Sequence, residues 1–169
     1  MARLCSSKST GERLVTYAGA RGGDYRIARL FNIFGPGDGT PHVLPDIVNG
    51  LAGGGELALG RLDAVRDYVY VDDAVRALVG LAEYAGEHRI FNIGTGEGRS
   101  VRDLVDAVAD VCGFPVSVRT DPAKVRPIER PVLVCDPRRA RTVLGWAPST
   151  TLHEGIKRTL AAPAPASEA

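Results

Sequence analysis

The stretch Arg66-Asp67-Tyr68-Val69-Tyr70-Val71-Asp72-Asp73 constrains the fold of this chain more than any other. It reads as a short alternating strand, and Ala74, Val75, Leu78 and Leu81 follow it at helical spacing. A strand that runs straight into a helix, with Asp72 or Asp73 placed to cap it, belongs to a layered α/β architecture. Arg66 and Asp67 precede the strand, where a loop holds them near a crevice. A guanidinium there stays charged at any working pH and forks two donors onto phosphate oxygens. A surface ion pair beside an ordinary cap is the alternative reading.

The rest of the chain alternates in the same way. Residues 6–20 read as a helix with Leu14, Val15 and Ala18 on one face, and Gly22-Gly23-Asp24 turns the chain into a strand over 25–30. Residues 31–41, heavy in glycine and proline, read as a loop. Val43–Leu51 fits a helix ended by Gly53-Gly54-Gly55, and Leu57–Leu59 a short strand. A helix over 72–85, a strand over 89–93 and the turn Gly94-Thr95-Gly96-Glu97-Gly98 follow. Ser100 with Asp103 makes a variant of the capping box for a helix over 100–112. Residues 116–119 are strand-like, 121–131 form an extended proline-bearing loop, and short helices over 137–144 and 152–160 finish the pattern. Residues 161–169 are poor in bulky apolar side chains and are predicted to be a disordered tail.

At 169 residues the chain has the length of one domain, and a net charge of +1 makes no electrostatic case for nucleic acid or an acidic membrane surface. Cys5, Cys112 and Cys135 show no metal-ligand spacing, so no metal site is expected and free thiols in a reducing cytoplasm account for them. No segment approaches the ~20 apolar residues of a membrane span, and a cytoplasmic protein is expected.

Four further segments can carry chemistry. Arg29-Leu30-Phe31-Asn32-Ile33-Phe34-Gly35-Pro36-Gly37 lies at the carboxyl end of a predicted strand, where open α/β sheets bind their ligands. Asn32 suits a phosphate or a sugar, since its amide donates to the one and accepts from the other; a turn asparagine bonded to its own backbone is the alternative. His42 can reach a phosphate or ribose, or face solvent from its loop. Leu57, by itself, fits ordinary core packing. In Asp121-Pro122-Ala123-Lys124-Val125-Arg126-Pro127-Ile128-Glu129, Arg126 and Glu129 offer a ligand one cation and one anion, or pair with each other at a gain of ~0–1 kcal/mol.

In their order and spacing these segments resemble the NAD(P)-dependent epimerase/dehydratase family, the extended short-chain dehydrogenases that rework nucleotide sugars. The resemblance covers about residues 4 to 160 and rests on Arg66–Asp73, Arg29–Gly37, Gly94–Gly98, Arg126–Glu129, Leu144-Gly145-Trp146-Ala147-Pro148 and Ser6-Ser7-Lys8 with Glu12. The loop and tail after Asp121 are most similar to the GDP-mannose 4,6-dehydratase and GDP-4-keto-6-deoxymannose reductase branch. The resemblance implies the C-terminal part of a Rossmann-like fold with a small substrate-binding subdomain over 1–160, the first half of the sheet being absent. It implies that Arg66, Arg126 and Asn32 hold the diphosphate of a nucleotide sugar, that Glu129 takes ribose hydroxyls or the base, and that Leu57 and its neighbours pack on the base. His42 falls at a position that varies in the family.

Lys8 matches the lysine of the family's Y-x-x-S-K helix, which holds the nicotinamide ribose. The tyrosine position, however, holds Leu4, which has no titratable group to transfer a proton. No glycine fingerprint for NAD or NADP occurs in the sequence. The expectation is therefore a substrate-binding portion that is inactive as this chain and does not retain NAD(P) alone. Either a longer gene starts upstream, or the short chain works as a homo-oligomer or with a partner supplying the other half. A non-catalytic interaction or regulatory module that keeps part of the fold is the alternative function.

Overall fold

A computed structural model describes residues 2–39, 42–51, 56–125 and 130–162 of the chain. In order, the elements are α1 (Ala2–Gly19), β1 (Ile27–Leu30), β2 (Asn32–Phe34), α2 (Val43–Leu51), β3 (Leu57–Leu59), β4 (Val65–Arg66), β5 (Tyr68–Tyr70) and α3 (Val71–Glu83). They continue with β6 (Ile90–Ile93), β7 (Arg99–Ser100), α4 (Val101–Cys112), β8 (Val118–Thr120), a 3-10 turn at Pro122–Lys124, β9 (Val132–Leu133), α5 (Arg138–Leu144) and α6 (Leu152–Ala161). Strand pairing is parallel for β1–β6, β2–β5, β3–β8 and β4–β9, and antiparallel for β4–β7. This is the α/β class that the alternating sequence predicts.

β5 organises the interior. Successive strand residues point to opposite faces, and all three residues of β5 are buried. Tyr68 and Tyr70 pack into one apolar cluster with Phe34, Leu57, Leu59, Leu104, Val108 and Ile156. Val69 points the other way, into a second cluster with Ala77, Leu81, Phe91, Ile93, Ala140 and Trp146. The first cluster joins α2, α4 and α6 to β3; the second joins α3 and α5 to β6.

Helix α4 begins as its sequence predicts. The Ser100 side chain accepts from the Asp103 amide at 3.1 Å, and the Asp103 carboxylate accepts from the Ser100 amide at 2.7 Å. The Ser100 amide, and then its hydroxyl, hold the Asp103 carboxyl below its ordinary range.

Three expectations are corrected. The segment over 31–41 is not all loop: Asn32–Phe34 forms β2, because it finds a parallel partner in β5. The stretch before α3 is two short strands rather than one, β4 and β5, broken at Asp67. Neither Asp72 nor Asp73 caps α3; the helix starts at Val71 behind Tyr70, which makes no side-chain cap bond. On α1, Tyr17 is 62% exposed, as is the face that carries Leu14 (64%) and Val15 (41%). What ties α1 to β1 is a forked ion pair, Arg29 donating to the two Glu12 oxygens at 2.9 and 2.7 Å. That bond to Arg29 lowers the Glu12 pKa. The predicted tail over 163–169, and Gly53-Gly54-Gly55 at the end of α2, lie outside the described residues.

Candidate substrate cleft

The carboxyl ends of β2 and β3 open into a cleft of about 1050 Å³. Its walls come from residues 30–38, from His42–Asp46 at the start of α2, from Leu59, Gly60 and Arg61 after β3, and from Arg66 and Tyr68. Lys8 of α1, Lys124 of the 3-10 turn and Leu133 of β9 complete it.

Local chemistry explains how these residues arrive there. The 3-10 turn is capped by Asp121, whose side chain accepts from the Ala123 amide at 2.9 Å. It closes tightly over the end of β3, because a Cβ on Gly60 would lie 2.7 Å from the Lys124 carbonyl oxygen. Only glycine leaves that space, and the close approach brings Lys124 to the cleft. Asn32 is held at the cleft by its place in β2 and by its amide, which donates to the Asp67 carbonyl at 3.1 Å.

Among the described lining residues, Lys8, Arg61, Arg66 and Lys124 are cationic, and Asp38 and Asp46 are acidic. The surplus of cations suits an anionic ligand. Arg66 donates from Nη1 to the Val65 carbonyl at 2.7 Å, which folds its guanidinium back along β4. Arg61 forks onto Asp63 at 3.0 and 2.6 Å; both side chains are substantially exposed, so the pair is weak and a ligand phosphate can compete for it.

Of the residues singled out from sequence, Lys8, Asn32, His42 and Arg66 all face this one cleft. Leu57 does not line it: its side chain is buried in the core, against Gly50 of α2, and Leu59 presents itself to the cleft instead. Arg126 and Glu129 lie outside the described residues. The sequence reading assigned no role to Arg61 or to Lys124. Lys124 was legible only as part of the loop that carries Arg126, and Arg61 only through Asp63 two positions on.

The glycine-rich turn after β6 does cradle an anion, but the anion belongs to the chain. The amides of Thr95 and Gly96 donate to the two carboxylate oxygens of Asp67, each at 2.8 Å. A Cβ on Gly94 would lie 2.6 Å from Cβ of Cys135, so the turn is also packed shut behind. It is therefore not available to a cofactor phosphate. Burial, with Asp67 and Asp136 nearby, pushes the Cys135 thiol up to about 12, which keeps it protonated and unreactive. No group of three or more His, Cys, Asp or Glu among the described residues forms a metal site. No described helix is long and apolar enough to cross a membrane.

This α/β frame with parallel strand pairs is shared with solved UDP-glucose 4-epimerases. The chain belongs to the family described as GDP-mannose 4,6 dehydratase, whose sequence model matches residues 5–159, within the NAD(P)-dependent epimerases and dehydratases. It is 41% identical over 110 residues to UDP-glucose 4-epimerase of Mycolicibacterium smegmatis, covering 65% of this chain and 34% of that one. It is 30% identical to dTDP-4-dehydro-6-deoxyglucose reductase of Escherichia coli over 78% of this chain and 42% of the relative. Among solved structures, UDP-glucose 4-epimerase of Thermotoga maritima with UDP-glucose superposes with a TM-score of 0.79 at 33% identity, over 90% of this chain and 50% of the other. The Stenotrophomonas maltophila UDP-glucose 4-epimerase, solved with NAD and a formylated UDP-arabinopyranose, gives 0.79 at 28% identity, over 92% and 52%. The chain thus spans between about a third and a half of the length of these four relatives.

Proposed function

We propose that the cleft binds a nucleotide-diphosphate sugar, with Arg66 and Asn32 on the diphosphate and Lys8 and His42 at its rim. The observation that carries this reading is the convergence of Lys8, Asn32, His42 and Arg66, from four segments of the chain, on one cation-rich cleft of about 1050 Å³, enough for a ligand of that size. Arg126 and Glu129, two and five residues beyond Lys124 in the sequence, are assigned to the same ligand on their motif alone.

The chemistry of the family takes a hydride to NAD(P) while a tyrosine removes a hydroxyl proton. These 169 residues do not fit that cofactor. They hold no glycine fingerprint, the turn at 94–96 is filled by Asp67, and Leu4 stands at the tyrosine position. As this chain, the protein binds the sugar nucleotide, does not retain NAD(P) and does not turn substrate over. Whether the bound sugar would be epimerised, dehydrated or reduced is set by residues beyond those that line this cleft. The free thiols Cys112 and Cys135 accord with a reducing cytoplasm.

Titration calorimetry with UDP-glucose and GDP-mannose tests the reading. Replacing Arg66 and Arg126 together by alanine is expected to weaken the tighter ligand by at least about a hundredfold, since each charge-assisted contact contributes ~1.5–3 kcal/mol. An unchanged affinity in that double variant would sink the assignment. NADH fluorescence, unaltered by the protein, is expected in parallel. One observation favours a second reading, an interaction module: Leu14 and Tyr17 of α1 are 64% and 62% exposed. Size-exclusion chromatography separates the two, because the module self-associates whether or not a sugar nucleotide is present.

A further inference from the structure

The chain changes sheets across a single residue. Arg66 ends β4, which lies between β7 and β9, and Tyr68 begins β5, which pairs with β2. Asp67, between them, is fully buried. A carboxylate can be taken out of water only where hydrogen bonds replace its hydration. Here Oδ1 accepts from the amide and the hydroxyl of Thr95, at 2.8 and 2.7 Å. Oδ2 accepts from the amides of Gly96 and Cys135, at 2.8 and 3.1 Å. The acceptor capacity of the group is filled, all of it by segments remote in sequence. Its backbone carbonyl meanwhile holds the Asn32 amide.

Three of the segments gathered in this way border the cleft. Arg66 precedes Asp67, Asn32 is bonded to its carbonyl, and Leu133 lies two residues before Cys135; all three line the cavity. We propose that Asp67 is a positioning residue for the nucleotide-sugar site, fixing the turn at 94–96 and the stretch after β9 against β4 so that Arg66 enters the cleft in one direction before a ligand arrives. The inference rests on the reading of Arg66 as a diphosphate contact. Its physical content is preorganisation: a guanidinium whose backbone is already fixed loses less freedom on binding and donates in a set geometry.

The test is a double-mutant cycle on the 169-residue chain, with UDP and GDP as probes in calorimetry. D67N keeps the size of the side chain but turns an NH2 group toward donors that need an acceptor. R66A is expected to weaken binding about tenfold or more in the native background and less than about threefold in the D67N background, because coupled residues do not add. The salt dependence of binding is expected to flatten in D67N as it does in R66A, with the circular dichroism spectrum unchanged. If R66A costs the same factor in both backgrounds, Asp67 holds the fold and nothing more, and the proposal is overturned. Should D67N fail to fold, T95V removes only the hydroxyl donor and carries the same cycle to the same two outcomes. If R66A has no effect in the native background, or neither nucleotide binds, the diphosphate reading itself falls and the positioning role falls with it.

Discussion

Asp67 and Asp73 belong to one motif and are both fully buried, yet they are held in different ways. Asp67 takes three backbone amides and one hydroxyl. Asp73 accepts from the Ser149 amide and hydroxyl, both at 3.2 Å, and from the Thr150 amide at 2.9 Å, and it pairs with Arg76. Its carbonyl accepts from the Trp146 indole at 2.9 Å. Asp67 therefore knits the frame beside the cleft, whereas Asp73 pins the segment between α5 and α6. The difference lies in the partners' freedom. The amides around Asp67 are fixed by the turn and by Cys135, while Arg76 is 47% exposed and can turn to water. The same residue type, equally buried, carries unequal consequences.

The comparison can be broken or sharpened by a graded series. Asp67→Ala is expected to have the largest effect, a loss of about 3–5 kcal/mol, because three amides and a hydroxyl lose their acceptor at once, the Cys135 amide in the core. Urea unfolding reads it directly, and a loss equal to that of Asp73→Ala would break the contrast. Asp73→Ala is expected to cost about 2–3 kcal/mol in the same measurement, since Arg76 and the Ser149 hydroxyl recover hydration.

Next comes a pH effect. Burial alone would raise the Asp73 pKa, but the Thr150 amide, Arg76 and the Ser149 hydroxyl outweigh it and leave the group below its ordinary value. A carboxyl lowered in the folded state contributes fully above its unfolded pKa of ~3.9, and the contribution is lost as pH falls through the folded value. The native chain is thus expected to lose stability on acidification below about pH 4, and D73N to lose less over that range, as read by thermal melts at stepped pH. Arg76→Ala is expected to have the smallest effect, about 0.5–1 kcal/mol, because its partner keeps three other donors and the cation is half in solvent.

How far the sequence foretold this molecule depends on how local each interaction is. The capping box of α4 joins residues three apart, and Ser100 and Asp103 announce it by themselves. The helix over Val43–Leu51 and the strand over Leu57–Leu59 are likewise carried by their own periodicity. β2 was hidden, because Asn32–Phe34 is too short to show a pattern and becomes a strand only beside Tyr68–Tyr70. Asp73 resembled a helix cap by position and is instead claimed by Ser149 and Thr150, which no local rule connects to it. Asp67 was legible as a neighbour of Arg66, but its bonds to Thr95, Gly96 and Cys135 exist only once three distant segments meet. The cleft was read in the same proportion: Arg66 and Asn32 stand in motifs, while Arg61 and Lys124 reach it through the close packing of Gly60.

The parallel pairing of the strands governs how quickly such a chain reaches its native state. Ile27 meets Ile90, Asn32 meets Tyr68 and Leu57 meets Val118, and none of these ladders can be closed by a tight turn. Each demands that a long loop be drawn together before its first hydrogen bond forms, so the entropic cost falls early and the return comes late. Helices with local signals, α4 foremost, are able to form while the sheet edges still lie open. Folding of this chain is for that reason a race between distant strands finding one another and the same edges finding another molecule, with Asp67 buried only when the last of its donors arrives.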